Sequence, residues 1–185
     1  MNKKNITLGI ILIALIAIFY LYQGPYKKWQ LNQGKTTNFL SKVNADNIDK
    51  IKIIDGNSTT TLKKSNSKWS VEGQAVDEQR INYLISQIKK ASGENLDLIS
   101  TNVAKKNLFQ TDKSGKEIKL YINNSEVADF IAGKMTNDFQ SSYVSTQTTD
   151  NTYIIQGVNL YSSFLDKNWV APKPATTTPE TTKKK

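Results

Sequence analysis

The side chains that most enzymes use to move protons or hold metals are scarce in this chain. It has no histidine and no cysteine. That removes the commonest general base, the commonest metal ligand and all thiolate chemistry. Carboxylates, hydroxyls and lysines remain. Asp77 with Glu78, and Asp129 with Asp138, are the acidic pairs to weigh. Acid–base catalysis needs two converging carboxylates whose surroundings split their pKa values. The first pair instead fits a helix N-terminus, and the second lies on separate segments. Asp55-Gly56-Asn57-Ser58 opens like a calcium loop but lacks that motif's later carboxylates, so it reads as a hairpin turn. Ser67 beside Lys68, and Ser41 beside Lys42, contain the ingredients of a Ser–Lys dyad, but adjacency in sequence is not convergence in space, and no Gly-x-Ser-x-Gly is present. Gly133-Lys134-Met135-Thr136 resembles the end of a phosphate-binding loop. The glycine needed five positions earlier is Ala128, so a turn is expected there too. No catalytic, cofactor-binding or metal-ligating residue is expected.

Seven aromatics (Trp69, Tyr121, Phe130, Phe139, Tyr143, Tyr153 and Trp169) would suit a glycan- or peptide-binding surface if they faced water together. Most fall in expected strands, which makes core packing the expectation.

The elements that would position these residues follow from periodicity. Ile48, Ile51 and Ile53 come close to strand alternation, and Asp55-Gly56-Asn57 and Ser65-Asn66-Ser67 are turn signals, giving a three-stranded meander that ends at Lys68–Val71. Asp77 suits an N-cap and Glu78 the first turn of a helix whose stripe is Ile81, Leu84, Ile85 and Ile88, closed by Lys89, Lys90 and Gly93. A strand is expected at Leu96–Ser100, and a short helix capped at Thr101-Asn102 through Leu108. Ile118, Leu120 and Ile122 alternate strictly. Asn123-Asn124-Ser125 turns into a strand ending at Gly133-Lys134. A hairpin follows across Thr149-Asp150-Asn151, then a closing helix over Val158–Leu165, with Trp169 packing near the end. Strands followed by a helix occur twice. The expected fold class is therefore α+β, with two related antiparallel-sheet-plus-helix lobes at 46–100 and 101–170.

Ahead of them, Ile6–Tyr22 is 17 residues without a charge, long enough for a transmembrane helix. Tyr20, Tyr22, Tyr26 and Trp29 follow at the interface, with Lys27 and Lys28 beyond. No small-x-small cleavage site follows, so the helix reads as an uncleaved single-pass anchor. Residues 1–5 form a short cytoplasmic N-terminus, 23–45 a juxtamembrane connector in which Asn38–Val43 docks on the domain, and 171–185 a disordered Thr/Pro/Lys tail. The net charge of +9 sits at these ends: residues 36–170 hold 16 basic and 15 acidic side chains. A nucleic-acid binder places its basic stripe on the domain itself, and Arg80 is the one arginine here.

Three stretches carry a family resemblance: IDKIKIIDGNSTTTLKKSNSKWSV; VDEQRINYLISQIKKA with LISTNVAKKNLFQTD; and IKLYINNSEVADFIAGKMTNDFQSSYVSTQTTDNTYII. Together, over roughly 45–167, their order resembles the bacterial family catalogued as domain of unknown function 4340. Its members are typically membrane-anchored, and some are auxiliary to gliding-motility-type ABC transporters. The short length, connector and tail lie outside the resemblance. It implies a non-enzymatic extracytoplasmic accessory domain at the cell membrane, with the lipid bilayer and a membrane protein such as an ABC transporter as partners, and no catalytic residues or cofactor. The competing expectations are a cell-envelope polymer or peptide binder and a Ser/Lys-type hydrolase.

Overall fold

Alternation of buried and exposed residues along the strands sets the architecture. The computed structural model of the chain describes residues 11–16, 18–20, 38–165 and 168–172. Within them nine strands form one antiparallel sheet: β1 (Lys50–Asp55), β2 (Ser58–Ser65), β3 (Lys68–Val71), β4 (Gln74–Ala75), β5 (Leu96–Ser100), β6 (Lys116–Ile122), β7 (Ser125–Met135), β8 (Ser142–Ser145) and β9 (Thr152–Ile155), in the spatial order β4-β3-β2-β1-β6-β7-β8-β9-β5. With the α-helices α1 (Glu78–Gly93), α2 (Lys106–Phe109) and α3 (Leu160–Leu165) beside it, the fold is α+β, dominated by the sheet.

Two separate lobes do not form. β1 pairs directly with β6, placing Ile51 opposite Leu120 and Ile53 opposite Ile118. These four buried side chains fuse the cores of the two halves. The reason lies in the helices. α1 has 16 residues and buries Ile81, Leu84, Ile88 and Ala91, whereas α3 has only six and could not cover a sheet alone. The two pack together on one side of the common sheet, the near face, around Phe130, Phe164 and Trp169.

The turns follow their chemistry. Asn66-Ser67 and Asn123-Asn124 take positive φ at both positions, as two-residue hairpin loops of the I′ type require, while Gly56 is positive at the β1–β2 turn. Asp77 caps α1 by accepting from Gln79 N at 2.9 Å. At the other end of α1, buried Asn38 donates to Ala91 O and Glu94 O, so the 38–43 segment docks as its composition suggested. Some boundaries differ: α3 begins at Leu160 rather than Val158, and β7 runs through Gly133-Lys134 to Met135. Its pairing with β8 shifts register between Ala132 and Met135, so Gly133 marks an irregularity inside a strand rather than a turn.

The segment from β5 to β6 crosses the opposite side of the sheet, the far face. Phe109 lies 4.7 Å from Tyr143, and Thr111 Oγ1 is 2.9 Å from Thr152 Oγ1. Of the expected anchor, residues 11–16 and 18–20 are helical and expose Ile11, Leu12, Ile13, Leu15, Ile16, Ile18, Phe19 and Tyr20. Residues 6–10, 17 and 21–22, most of the 23–45 connector and the tail from 173 lie outside the described residues. Among the described residues no helix is long and apolar enough to cross a membrane.

Candidate interaction surface

The residues singled out for chemistry are dispersed. Asp77 and Glu78 belong to the start of α1, where the Asp77 carboxylate also meets Arg80 Nε at 3.5 Å. Asp129 stands on the far face of β7 with Lys119 at 2.9 Å, while Asp138 lies in the β7–β8 turn. Ser67 occupies the β2–β3 turn at φ +63°, and Ser41 and Lys42 are exposed on the docking segment. A buried lysine does exist. Lys116, its side chain 8% exposed, donates to Asp55 Oδ2 at 2.6 Å. That hydrogen bond goes to a carboxylate rather than to a serine hydroxyl. It lines a cleft of about 370 Å³ with Thr59, Thr60, Glu72 and Trp169. No group of three or more carboxylates among the described residues is placed to hold a metal ion.

The seven aromatics divide between environments instead of lining one groove. Phe130, Tyr153 and Trp169 are buried, and half-buried Trp69 packs against the same core. Tyr121 lies under Lys50 Nζ, 3.9 Å from its ring centre, and Tyr143 against Phe109. Phe139 alone of the seven is strongly exposed, at 69%.

Phe139 is also the aromatic whose backbone is strained. Its φ is +59°, in the left-handed region that costs a side chain with a Cβ roughly 1–2 kcal/mol. Glycine or asparagine is the ordinary residue there. The turn around it is heavily cross-tied. Phe139 N donates to Thr136 O and Thr136 N to Ser141 O, both at 3.0 Å. Gln140 N donates to Asp138 Oδ1 at 3.0 Å, and the Thr136 hydroxyl bonds the same carboxylate. Those two bonds, the Thr136 hydroxyl foremost, hold the Asp138 carboxyl below the usual range and favour its charged form. Asn159 at the start of α3 ties the turn to the helices: its Nδ2 donates to Phe139 O at 3.2 Å, and its backbone N to Gln87 Oε1 on α1 at 3.3 Å. The result is an apolar ring presented to solvent on a fixed mount beside a carboxylate.

The expected strand ends at Gly133-Lys134, which leaves Phe139 beyond it, yet core packing is the expectation for the seven aromatics as a group. The signal that separates it is its position: it follows Thr136-Asn137-Asp138, a turn-forming run, and so falls at the left-handed residue closing that turn. A second exposed apolar group, Ile99, Val103 and Leu108, lies along the edge strand β5 and the residues after it. Among the described residues β5 pairs only with β9, and it contains neither proline nor lysine, two of the usual protections of a sheet edge. Searches for similar proteins match this chain to no family model, no curated protein and no solved structure.

Proposed function

We propose that this chain is a single-pass membrane protein whose helix over 6–22 anchors a non-enzymatic interaction domain on the extracytoplasmic side of the cell membrane. There it acts as an accessory to a membrane protein such as an ABC transporter, docking through Phe139. This is the role that the resemblance to domain of unknown function 4340 proteins implies. The anchor reading is supported by the helical residues 11–16 and 18–20, whose large apolar side chains are exposed.

The Phe139 turn carries the interaction reading. Folding alone gains nothing from an exposed ring in a left-handed backbone. Binding does, because burying a phenylalanine side chain is worth about 1.5–3 kcal/mol and a pre-ordered mount avoids the entropy of fixing it. The adjacent Asp138 carboxylate selects the partner. It repels an anionic lipid surface and suits an apolar socket with a basic rim, as on a protein.

Replacing Phe139 with glycine tests this. The full chain gains about 1 kcal/mol in stability because ring and strain go together. A photo-crosslinker at position 139 in intact cells traps a membrane protein, and Phe139→Gly weakens co-purification of that protein about tenfold or more. Unchanged co-purification, or crosslinking to lipid alone, overturns the docking role. The anchor has its own test: alkaline carbonate leaves the full chain in the membrane pellet, and deleting residues 6–22 releases it. A full chain that washes off refutes the anchor.

A further inference from the structure

The far face of the sheet offers a second surface, built from charge. The cross-strand registers place its residues in rows. Lys63 on β2 stands opposite Lys50 on β1, which stands opposite Tyr121 on β6, which pairs with Glu126 on β7. In the next row Thr61, Lys52, Lys119 and Asp129 follow in the same order. The lysines collect on one side. Lys50 and Lys63 are directly opposed, as are Lys52 and Lys119, an arrangement that costs stability in an isolated sheet. Lys50, Lys52 and Lys63 have no carboxylate partner among the described residues.

The other side is acidic. Lys119 Nζ is surrounded by Asp129 at 2.9 Å, Glu117 at 3.1 Å and Glu126 at 3.9 Å, three carboxylates around one ammonium. Asp129 Oδ1 is buried with no hydrogen-bond partner among the described residues. One half of this open face therefore lacks anions, and the other carries three carboxylates for one ammonium.

We propose that this face binds a second copy of the chain about a two-fold axis that runs along the strands between β1 and β6. A two-fold interface applies one patch to itself, so its charges must be self-complementary. This axis lays the basic half of each copy over the acidic half of the other. Lys63 of one copy meets Glu126 of its partner, Lys50 meets the Tyr121 ring, the Thr61 hydroxyl comes over the Asp129 carboxylate, and Lys52 faces the net-negative group around Lys119. Aligned packing of two sheets has this geometry. A polyanion would satisfy the lysines but be repelled by the three carboxylates beside them, which favours the second copy.

Reciprocal charge reversal tests the symmetry directly. The full chain in non-ionic detergent is measured by sedimentation equilibrium. It dimerises, and raising salt from roughly 50 to 500 mM weakens the dimer about tenfold or more. Lys63→Glu alone and Glu126→Lys alone each weaken it at least about tenfold, since each homodimer then holds two repelling pairs. An equimolar mixture of the two variants restores the affinity to within about threefold, because the mixed dimer again has two Lys–Glu contacts. Both side chains are exposed, so both variants fold; matching circular dichroism and denaturation midpoints verify it. A chain that is monomeric throughout overturns the proposal. So does a dimer that none of the reversals weakens, or one that the mixture fails to rescue.

Discussion

The two halves of the far face are built from the same antiparallel sheet and solve opposite problems. At β7, β8 and β9 the face is roofed by the 101–115 segment, so Ile131, Ser145 and Thr152 are buried there. Gly115 and Gly133 let two backbones touch, and hydroxyls pair in place of charges. Asp112 turns the roof: the Ser114 hydroxyl, then the Ser114 N–H, hold its carboxyl below the usual range. At β2, β1 and β6 nothing from the described chain covers the face, and it carries lysines, threonines and a carboxylate cluster. Packing restricts the first half to small or apolar groups, while water tolerates almost anything on the second. Mutations in the roofed half should therefore act through sterics and lost hydrogen bonds, and those in the open half through charge, with smaller effects.

The largest effect is expected at the roofed glycines. A Cβ at Gly115 would collide with the Gln110 carbonyl oxygen and approach Ile131 Cγ2 to 2.7 Å; at Gly133 it would meet the Phe109 carbonyl oxygen and Thr111 Cγ2. Backbone cannot yield as a flexible side chain does, so Gly115→Ala or Gly133→Ala costs about 2–4 kcal/mol, read as a fall in the denaturation midpoint. Gly56→Ala, at the open end of β1, meets no atom within 4 Å and pays only for its φ of +59°, about 1 kcal/mol. Equal losses at the three sites would erase the distinction.

Next comes the buried hydroxyl pair. Thr111 Oγ1 and Thr152 Oγ1 lie 2.9 Å apart. Thr152→Val leaves a buried hydroxyl short of a partner and costs about 1–3 kcal/mol. The Thr111→Val/Thr152→Val double variant should lose less than the sum of the singles, and a strictly additive double-mutant cycle would contradict the pairing.

This roof explains which parts of the structure were legible in the sequence. Turns, caps and the α1 stripe are local: Asp77, Gly56 and Asn123-Asn124 announce themselves through their own backbone preferences. The alternation of Ile118 and Leu120 likewise marked a buried face. What local pattern cannot reveal is which distant strands pair, Lys50 with Tyr121 for example, so β1 and β6 read as the beginnings of two lobes until their registers joined them. Gly133 was legible as a special residue, but its reason is a carbonyl from residue 109, far away in sequence. Phe139 was legible as an aromatic but not as an exposed one, because core packing was the expectation for the aromatics as a group and its place at the end of the Thr136-Asn137-Asp138 turn overrides it.

The Lys119 cluster gives the open half its pH dependence. Asp129 first, then Glu117, raise the Lys119 pKa well above the ordinary lysine value. A raised folded-state pKa stabilises fully below the unfolded value and loses that contribution as pH climbs through the folded one. Stability should thus decline at the alkaline end, beginning near the ordinary lysine pKa. Lys119→Met should flatten that decline and cost about 1 kcal/mol at neutral pH, where the three carboxylates are left together. An alkaline slope identical in wild type and variant would assign the loss to other groups. Thr152→Val should leave the slope unchanged, which separates the two halves by mechanism.

The smallest effect is expected where Lys63 faces Lys50. Removing one of two directly opposed like charges relieves repulsion, so Lys63→Thr should raise the stability of the monomer by a few tenths of a kcal/mol at low salt. The gain should vanish at high salt, where screening already suppresses the repulsion. Threonine also favours the strand more than lysine does, but that contribution survives salt, so the salt-dependent part alone reports the charge. The same substitution removes the lysine placed over Glu126 of a second copy and should weaken the dimer. Measured below and above the dimerisation concentration, Lys63→Thr should therefore stabilise the dilute chain and destabilise the concentrated one. A change of the same sign at both concentrations would mean that the opposed lysines serve only the solubility of an ordinary exposed sheet face.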